Sequence, residues 1–190
     1  MHIGIWKDNP MVATTRMDLM KCNVSDNQDW NARLFAQDWR SESRDGFKKS
    51  NLVRQCNYKY KIYIEGTWSV SEKYILMCDS MTLVVTPRYY DFFTRSLMPM
   101  EHYWPVNSMD KCRSIEFAVH WGNRHKRKAQ GIGKKASEFI FNNLTMDNVY
   151  DYMFHLLNEY SKLLKVKPTV PPDAIEFCAE SMPMQTATSI

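Results

Sequence analysis

The sequence predicts an α/β fold, and three neighbouring segments carry that prediction. Tyr58–Glu65 reads YKYKIYIE, an alternation of Tyr, Ile and Lys whose residue types favour a strand, and Gly66 ends it. Ser69-Val70-Ser71-Glu72 is a capping box, a Ser N-cap with Glu three residues on, and it opens a helix that runs to about Cys78. Met81–Thr86 reads MTLVVT, apolar almost throughout, as a strand buried on both faces of a parallel sheet is. Strand, glycine turn, helix and strand together make a βαβ unit.

The other elements follow in chain order. Residues 1–16 read as a loop-like opening, Met17–Cys22 as one helical turn, Asn31–Phe35 as a short strand, and Ser41–Cys56 as polar helix with loops. In the central helix Val70, Tyr74 and Met77 share a face. After the second strand come the aromatic segment Tyr89–Phe93, a turn around Pro99 and a short strand over His102–Val106. Lys111–Trp121 is helical, with Ile115, Ala118, Val119 and Trp121 apolar. Arg124–Asn142 is a second helix, basic at its start. Asp147–Leu164 has the clearest period: Val149, Tyr152, Met153, Leu156, Leu157, Tyr160, Leu163 and Leu164 recur at i, i+3, i+4 and i+7. From Val166 onward, prolines, Ser and Thr mark an extended or disordered tail, so the folded domain is placed at residues 1–165 and the tail at 166–190.

Composition narrows the function classes. With 190 residues the chain is long enough for one domain with a sizeable core, and 44% hydrophobic against 24% charged residues rules out a wholly disordered chain. No apolar run reaches the ~18–20 residues that span a bilayer, and Met1–Pro10 lacks the apolar block of a signal peptide. The net charge of +4 is too mild to mark a nucleic-acid binder. The basic run Arg124–Lys128 has no interleaved aromatics and reads as a solvated helix start. Five cysteines include no C-x-x-C pair and no His at zinc-finger spacing, so no metal site is expected.

The best candidate for binding chemistry is the loop Gly66–Ser71. A glycine after a strand lets a ligand approach the backbone, and the following helix points free N–H groups and its positive end at the same place. That suits a phosphate or a nucleotide diphosphate, although an ordinary βα turn has the same outline. Gly131-Ile132-Gly133-Lys134-Lys135 sits in a helical pattern and reads as plain helix. His102, between Glu101 and Tyr103, reads as a core or wall residue. Asp8, Asp38, Glu65, Glu72 and Asp79 read as caps or surface residues, and no nucleophile–base arrangement stands out.

Several strings together resemble a known family: Tyr58–Gly66, Ser69–Lys73, Tyr74–Ser80 (YILMCDS), Pro87–Phe93 (PRYYDFF), Leu97–Val106 (LMPMEHYWPV) and Met146–Leu164. The chain resembles the C-terminal half of the capsule-associated (CAP) glycosyltransferase family 90, the Rumi-type protein O-glucosyltransferases, and is most similar to plant members over roughly residues 5–165. The resemblance implies a Rossmann-like half of a GT-B enzyme with a long C-terminal helix. It implies an inverting, metal-independent transfer of glucose or xylose from a UDP-sugar to a protein or glycan hydroxyl in the endoplasmic reticulum or Golgi lumen, the UDP-sugar being substrate and no cofactor being needed.

Carried over by residue, Trp6-Lys7-Asp8-Asn9-Pro10 resembles the family's W-[RK]-G-[SN] motif. Asn9 is then a donor-binding polar residue. Arg16 resembles the downstream arginine that neutralises the UDP phosphates, a task its bidentate fork suits. Gly66, Thr67, Trp68, Ser69 and Val70 wrap the diphosphate. Cys56 and Cys78 resemble a family disulfide, while Cys22, Cys112 and Cys178 have no assigned partner. Three departures bear on activity. The chain opens just before the Trp6-Lys7 motif, so the acceptor half, its catalytic Asp and any membrane anchor fall outside it and no catalytic residue is assigned. Asp8 stands where the family carries Gly. The Gly66–Ser69 loop is one residue shorter than usual. The alternative reading is therefore a non-catalytic remnant or partner-binding half-domain. An exposed cleft face predicts a sticky surface around Trp6, Trp68 and Tyr103-Trp104.

Overall fold

The computed structural model describes residues 2–4, 10–48, 50–64, 71–166 and 169–175. Within residues 1–149 the centre is a three-stranded parallel sheet in the order β3 (Tyr60–Tyr63), β4 (Met81–Val85), β5 (Trp104–Val106). β4 pairs with both neighbours, Ile62 opposite Leu83 and Leu83 opposite Trp104. All five of its residues are buried, which is why MTLVV carries no polar alternation. A separate parallel pair joins β1 (His2–Gly4) to β2 (Phe35–Gln37). The structure is thus α/β, with helices α1 (Pro10–Met20), α2 (Trp39–Arg44), α3 (Leu52–Gln55), α4 (Ser71–Leu76), α5 (Lys111–Arg124), α6 (Lys126–Asn143) and α7 (Met146–Leu163).

Both faces of the sheet are covered. Met81, Leu83, Val85, Trp104 and Val106 share one core cluster with Leu19 and Cys22 of the α1 region, Ile115, Ala118 and Val119 of α5, and Ala129 and Ile132 of α6. Val84 turns to the other face, where it meets Tyr63 and Ile75. Glycines set two of these approaches. A Cβ on Gly122 would lie 2.7 Å from the Tyr60 hydroxyl, and one on Gly133 would lie 2.6 Å from the Ser80 carbonyl carbon. The Gly131–Lys135 stretch is helical, and Gly133 is there for contact with the turn before β4.

Several expectations are corrected. Within the loop-like opening, His2–Gly4 is strand β1 and residues 10–16 are helical: α1 begins at Pro10, a residue preset for the first helical position, and takes in most of the turn expected at Met17–Cys22. The short strand lies at Phe35–Gln37 instead of Asn31–Phe35. Asn31 takes φ of 59°, outside the strand region, while its N–H donates to Asp29 Oδ1 at 2.8 Å. In α4 the inward residues are Glu72, Ile75 and Leu76; Tyr74 is exposed and Met77 is only half-buried. Ser69 and Val70 lie outside the described residues. Trp104 is 7% exposed and belongs to the core, so it offers no sticky surface, and Trp6 and Trp68 lie outside the described residues. Asp38 is an N-cap, accepting from Arg40 and Ser41 N–H groups of α2. His102 is buried, accepts the Met98 N–H on Nδ1 at 2.9 Å and packs beside Phe139.

Candidate functional site

The candidate site is the carboxyl edge of the parallel sheet, the place where ligands of open α/β sheets bind. β3, β4 and β5 end there at Tyr63, Val85 and Val106. Leu19, in the last turn of α1, and Cys22, just after it, belong to the core cluster that also holds Ile64, Val85 and Val106.

Two links fix α1 in place. Asp18 Oδ2 accepts a hydrogen bond from Lys111 Nζ at 2.6 Å, and the same ammonium donates to the Ser108 carbonyl at 2.7 Å. Those charge-assisted bonds from Lys111 and Lys21 hold the Asp18 carboxyl below its usual range. One turn further on, Cys22 is joined to Cys112 by a disulfide spanning 90 residues. Cross-linking a loop of that length removes unfolded-chain entropy worth about 4–5 kcal/mol. A second disulfide joins Cys56, at the end of α3, to Cys78 after α4. The sequence assigned no partner to Cys22 or Cys112, since cysteine spacing alone does not fix connectivity.

Arg16, two residues before Asp18, is half-buried. Burial pushes its guanidinium down from its ordinary value, and the Tyr63 phenol at the end of β3 pulls the other way. A guanidinium keeps its proton under such a shift, so the edge carries a fixed positive charge on an anchored helix. Nearby groups add polarity that the sequence reading missed. Glu72, in the first turn of α4, is 4% exposed and not a surface residue. Burial raises the Tyr103 phenol, with Tyr90 and Glu72 adding to the rise. The Arg95 guanidinium lies 5.4 Å from the Tyr90 ring centre. The aromatic strings PRYYDFF and EHYWPV signalled this cluster, but not which of its rings turn inward.

Of the expected donor-binding residues, Arg16 lies near enough to Tyr63, the last residue of β3, to feel its charge. Asn9, Gly66, Thr67, Trp68, Ser69 and Val70 lie outside the described residues. Among the described residues, no three His, Cys, Asp or Glu side chains gather as a metal site. No helix there is long and apolar enough to cross a membrane. The arrangement offers cation-assisted anion binding beyond a parallel sheet.

Comparison with known proteins gives the chemistry a context. The chain is 29% identical over 164 residues to the protein O-glucosyltransferase 1 of Rattus norvegicus and to that of Homo sapiens, a match covering 85% of this chain and 40% of each relative. It is 27% identical over 154 residues to the O-glucosyltransferase rumi of Drosophila melanogaster, covering 80% of this chain and 36% of that protein. The chain therefore spans about 40% of the length of these relatives. The model of glycosyl transferase family 90 matches residues 1–189, and with nearly every residue inside that match the chain belongs to glycosyl transferase family 90.

Proposed function

We propose that the chain forms the donor-binding half of a UDP-sugar-dependent O-glucosyltransferase, a Rossmann-like half of a GT-B fold over residues 1–165. The observation that carries this reading is Arg16: in a family of glycosyltransferases, an anchored, half-buried arginine stands at the carboxyl end of a parallel sheet. In the transfer, the acceptor hydroxyl oxygen bonds to the anomeric carbon while the bond from that carbon to the diphosphate oxygen breaks. The hydroxyl proton goes to a base, and UDP leaves with the electron pair. Negative charge grows on the diphosphate as the bond breaks. A fixed guanidinium therefore binds the transition state more tightly than the ground state, which is what lowers a barrier. Asn9, Gly66, Thr67, Trp68, Ser69 and Val70 complete the donor site in this reading. The acceptor in this reading is a protein or glycan hydroxyl, and the name protein O-glucosyltransferase carried by relatives supports the protein. The Cys22–Cys112 and Cys56–Cys78 bridges support an oxidising compartment, the endoplasmic reticulum or Golgi lumen.

Calorimetric titration of the oxidised chain with UDP tests the reading. Saturable binding is expected, weakened about tenfold or more in Arg16→Ala, the loss that goes with a hydrogen bond to a charged group. A chain that is folded by circular dichroism yet takes up no UDP overturns the proposal. It then stands as a non-catalytic, partner-binding half-domain.

A further inference from the structure

A cavity of about 320 Å³ opens at the free edge of β3, on the side away from β4. Tyr60, Lys61 and Ile62 all line it. Successive strand side chains point to opposite faces, so three in a row line one space only where the strand's edge faces it. Ile75, Ile115, Val119 and Phe35 supply apolar wall, and Asn31, Asn51 and Gln55 supply amides.

The charges are one-sided. Arg33, Arg54 and Lys61 line the cavity, and no carboxylate does among the described residues. Arg33 is held by Asp29, with both guanidinium-to-carboxylate bonds at 2.8 Å. Arg54 makes no ion pair among the described residues. Lys61 is 7% exposed, and its Nζ, shielded from solvent, has no hydrogen-bond partner among them. A buried cation without a partner costs several kcal/mol or loses its proton. Burial accordingly pushes the Lys61 ammonium down to about 8, against a smaller opposing pull from Asp79. Lys61 is itself among the lining residues, so a ligand in the cavity lies next to it.

We propose that this cavity binds a small organic carboxylate with an apolar body, its charge met by Lys61 and Arg54 and its body by the isoleucines and Val119. The carboxylate supplies a partner that the buried ammonium lacks among the described residues, and the free edge of β3 adds backbone donors. None of the lining residues belongs to the proposed donor site, so this inference stands or falls separately from UDP binding.

Octanoate is the probe, with octan-1-ol as the uncharged control, both titrated by calorimetry into the oxidised chain. Saturable octanoate binding is expected, at least tenfold tighter than octanol and at least tenfold weakened by Lys61→Met. That variant keeps an unbranched stem and removes a buried charge that has no partner among the described residues, so its thermal melt is expected to be no lower than that of the parent. Arg54→Gln, at an exposed position, is expected to weaken octanoate binding several-fold. Bound octanoate also raises the Lys61 pKa, read from its Cε resonance by NMR. Absence of octanoate binding, equal affinity for octanol, or unchanged affinity in Lys61→Met overturns the proposal.

Discussion

α6 and α7 are both 18-residue helices with an apolar stripe, and they meet opposite fates. α6 buries Ala129, Ile132, Gly133, Ala136, Ser137 and Ile140. α7 buries none of its residues, leaving Met153, Leu156, Leu157 and Tyr160 exposed. The buried face of α6 is mostly small side chains, so its backbone comes within contact of the turn at Asp79–Ser80. Its two isoleucines reach two different core clusters, Ile132 one and Ile140 the other. The stripe of α7 is built from large residues throughout. Period identifies a helix and its apolar face; in α6, small side chains on that face let the backbone come close to its neighbour.

The largest expected effect separates the two helices directly. Ile132→Ala removes three carbons from a full core and is expected to cost about 2–4 kcal/mol. Leu156→Ala acts on an exposed side chain and is expected to stay within about 0.5 kcal/mol. Urea unfolding of both variants reads the difference. Equal losses would mean that Leu156 is covered in solution, and the contrast would collapse.

Next in size is a contrast inside α6. A Cβ on Gly133 would lie 2.6 Å from the Ser80 carbonyl carbon and 2.7 Å from the Asp79 carbonyl oxygen, whereas one on Gly131 meets nothing within 4 Å. The crowded atoms are backbone and cannot turn aside. Gly133→Ala is expected to destabilise by about 1–3 kcal/mol through overpacking. Gly131→Ala is expected to stabilise by up to about 1 kcal/mol through helix propensity. Matching signs for the two variants would show that α6 does not approach the turn as described.

These helices also show how far the sequence could be read. The βαβ unit, the β5 strand and the helices α5, α6 and α7 were legible because each has a strong period or a continuous apolar run. Only the last turn of α1 was, because Met11, Val12, Ala13, Met17, Leu19 and Met20 form no stripe. What holds α1 is a Lys111–Asp18 pair 93 residues apart and a disulfide, neither of which has a local signature. At the candidate site the sequence named Arg16 through a family motif, but nothing local showed that Tyr63 lies beside it. Glu72 reads as a capping residue from its spacing, yet it is buried. The charge on Lys61 looked like ordinary strand alternation; only the fold turns it away from water. In each case the missing information is a long-range contact, which no window of sequence contains.

The smallest expected effect concerns the charges that accompany the two helices. Lys162 of α7 pairs with Glu159 on the same helix, a contact that ties α7 only to itself. Lys135 of α6 pairs with Glu101, 34 residues away, at 2.9 Å. The hydrogen bond from Lys135 is the main cause holding the Glu101 carboxyl below its ordinary value. A carboxyl whose folded pKa is depressed adds stability above its unfolded pKa, and that stability is lost as pH falls through the folded value. The pair is solvent-exposed, so the gain is slight and salt weakens it. In Lys135→Met the Glu101 titration, followed by NMR, is expected to move up to the ordinary glutamate range. The acid side of the stability curve should flatten with it. A Glu101 midpoint unmoved by the substitution would show that the pair does not persist in solution, and that α6 is held by its buried face alone.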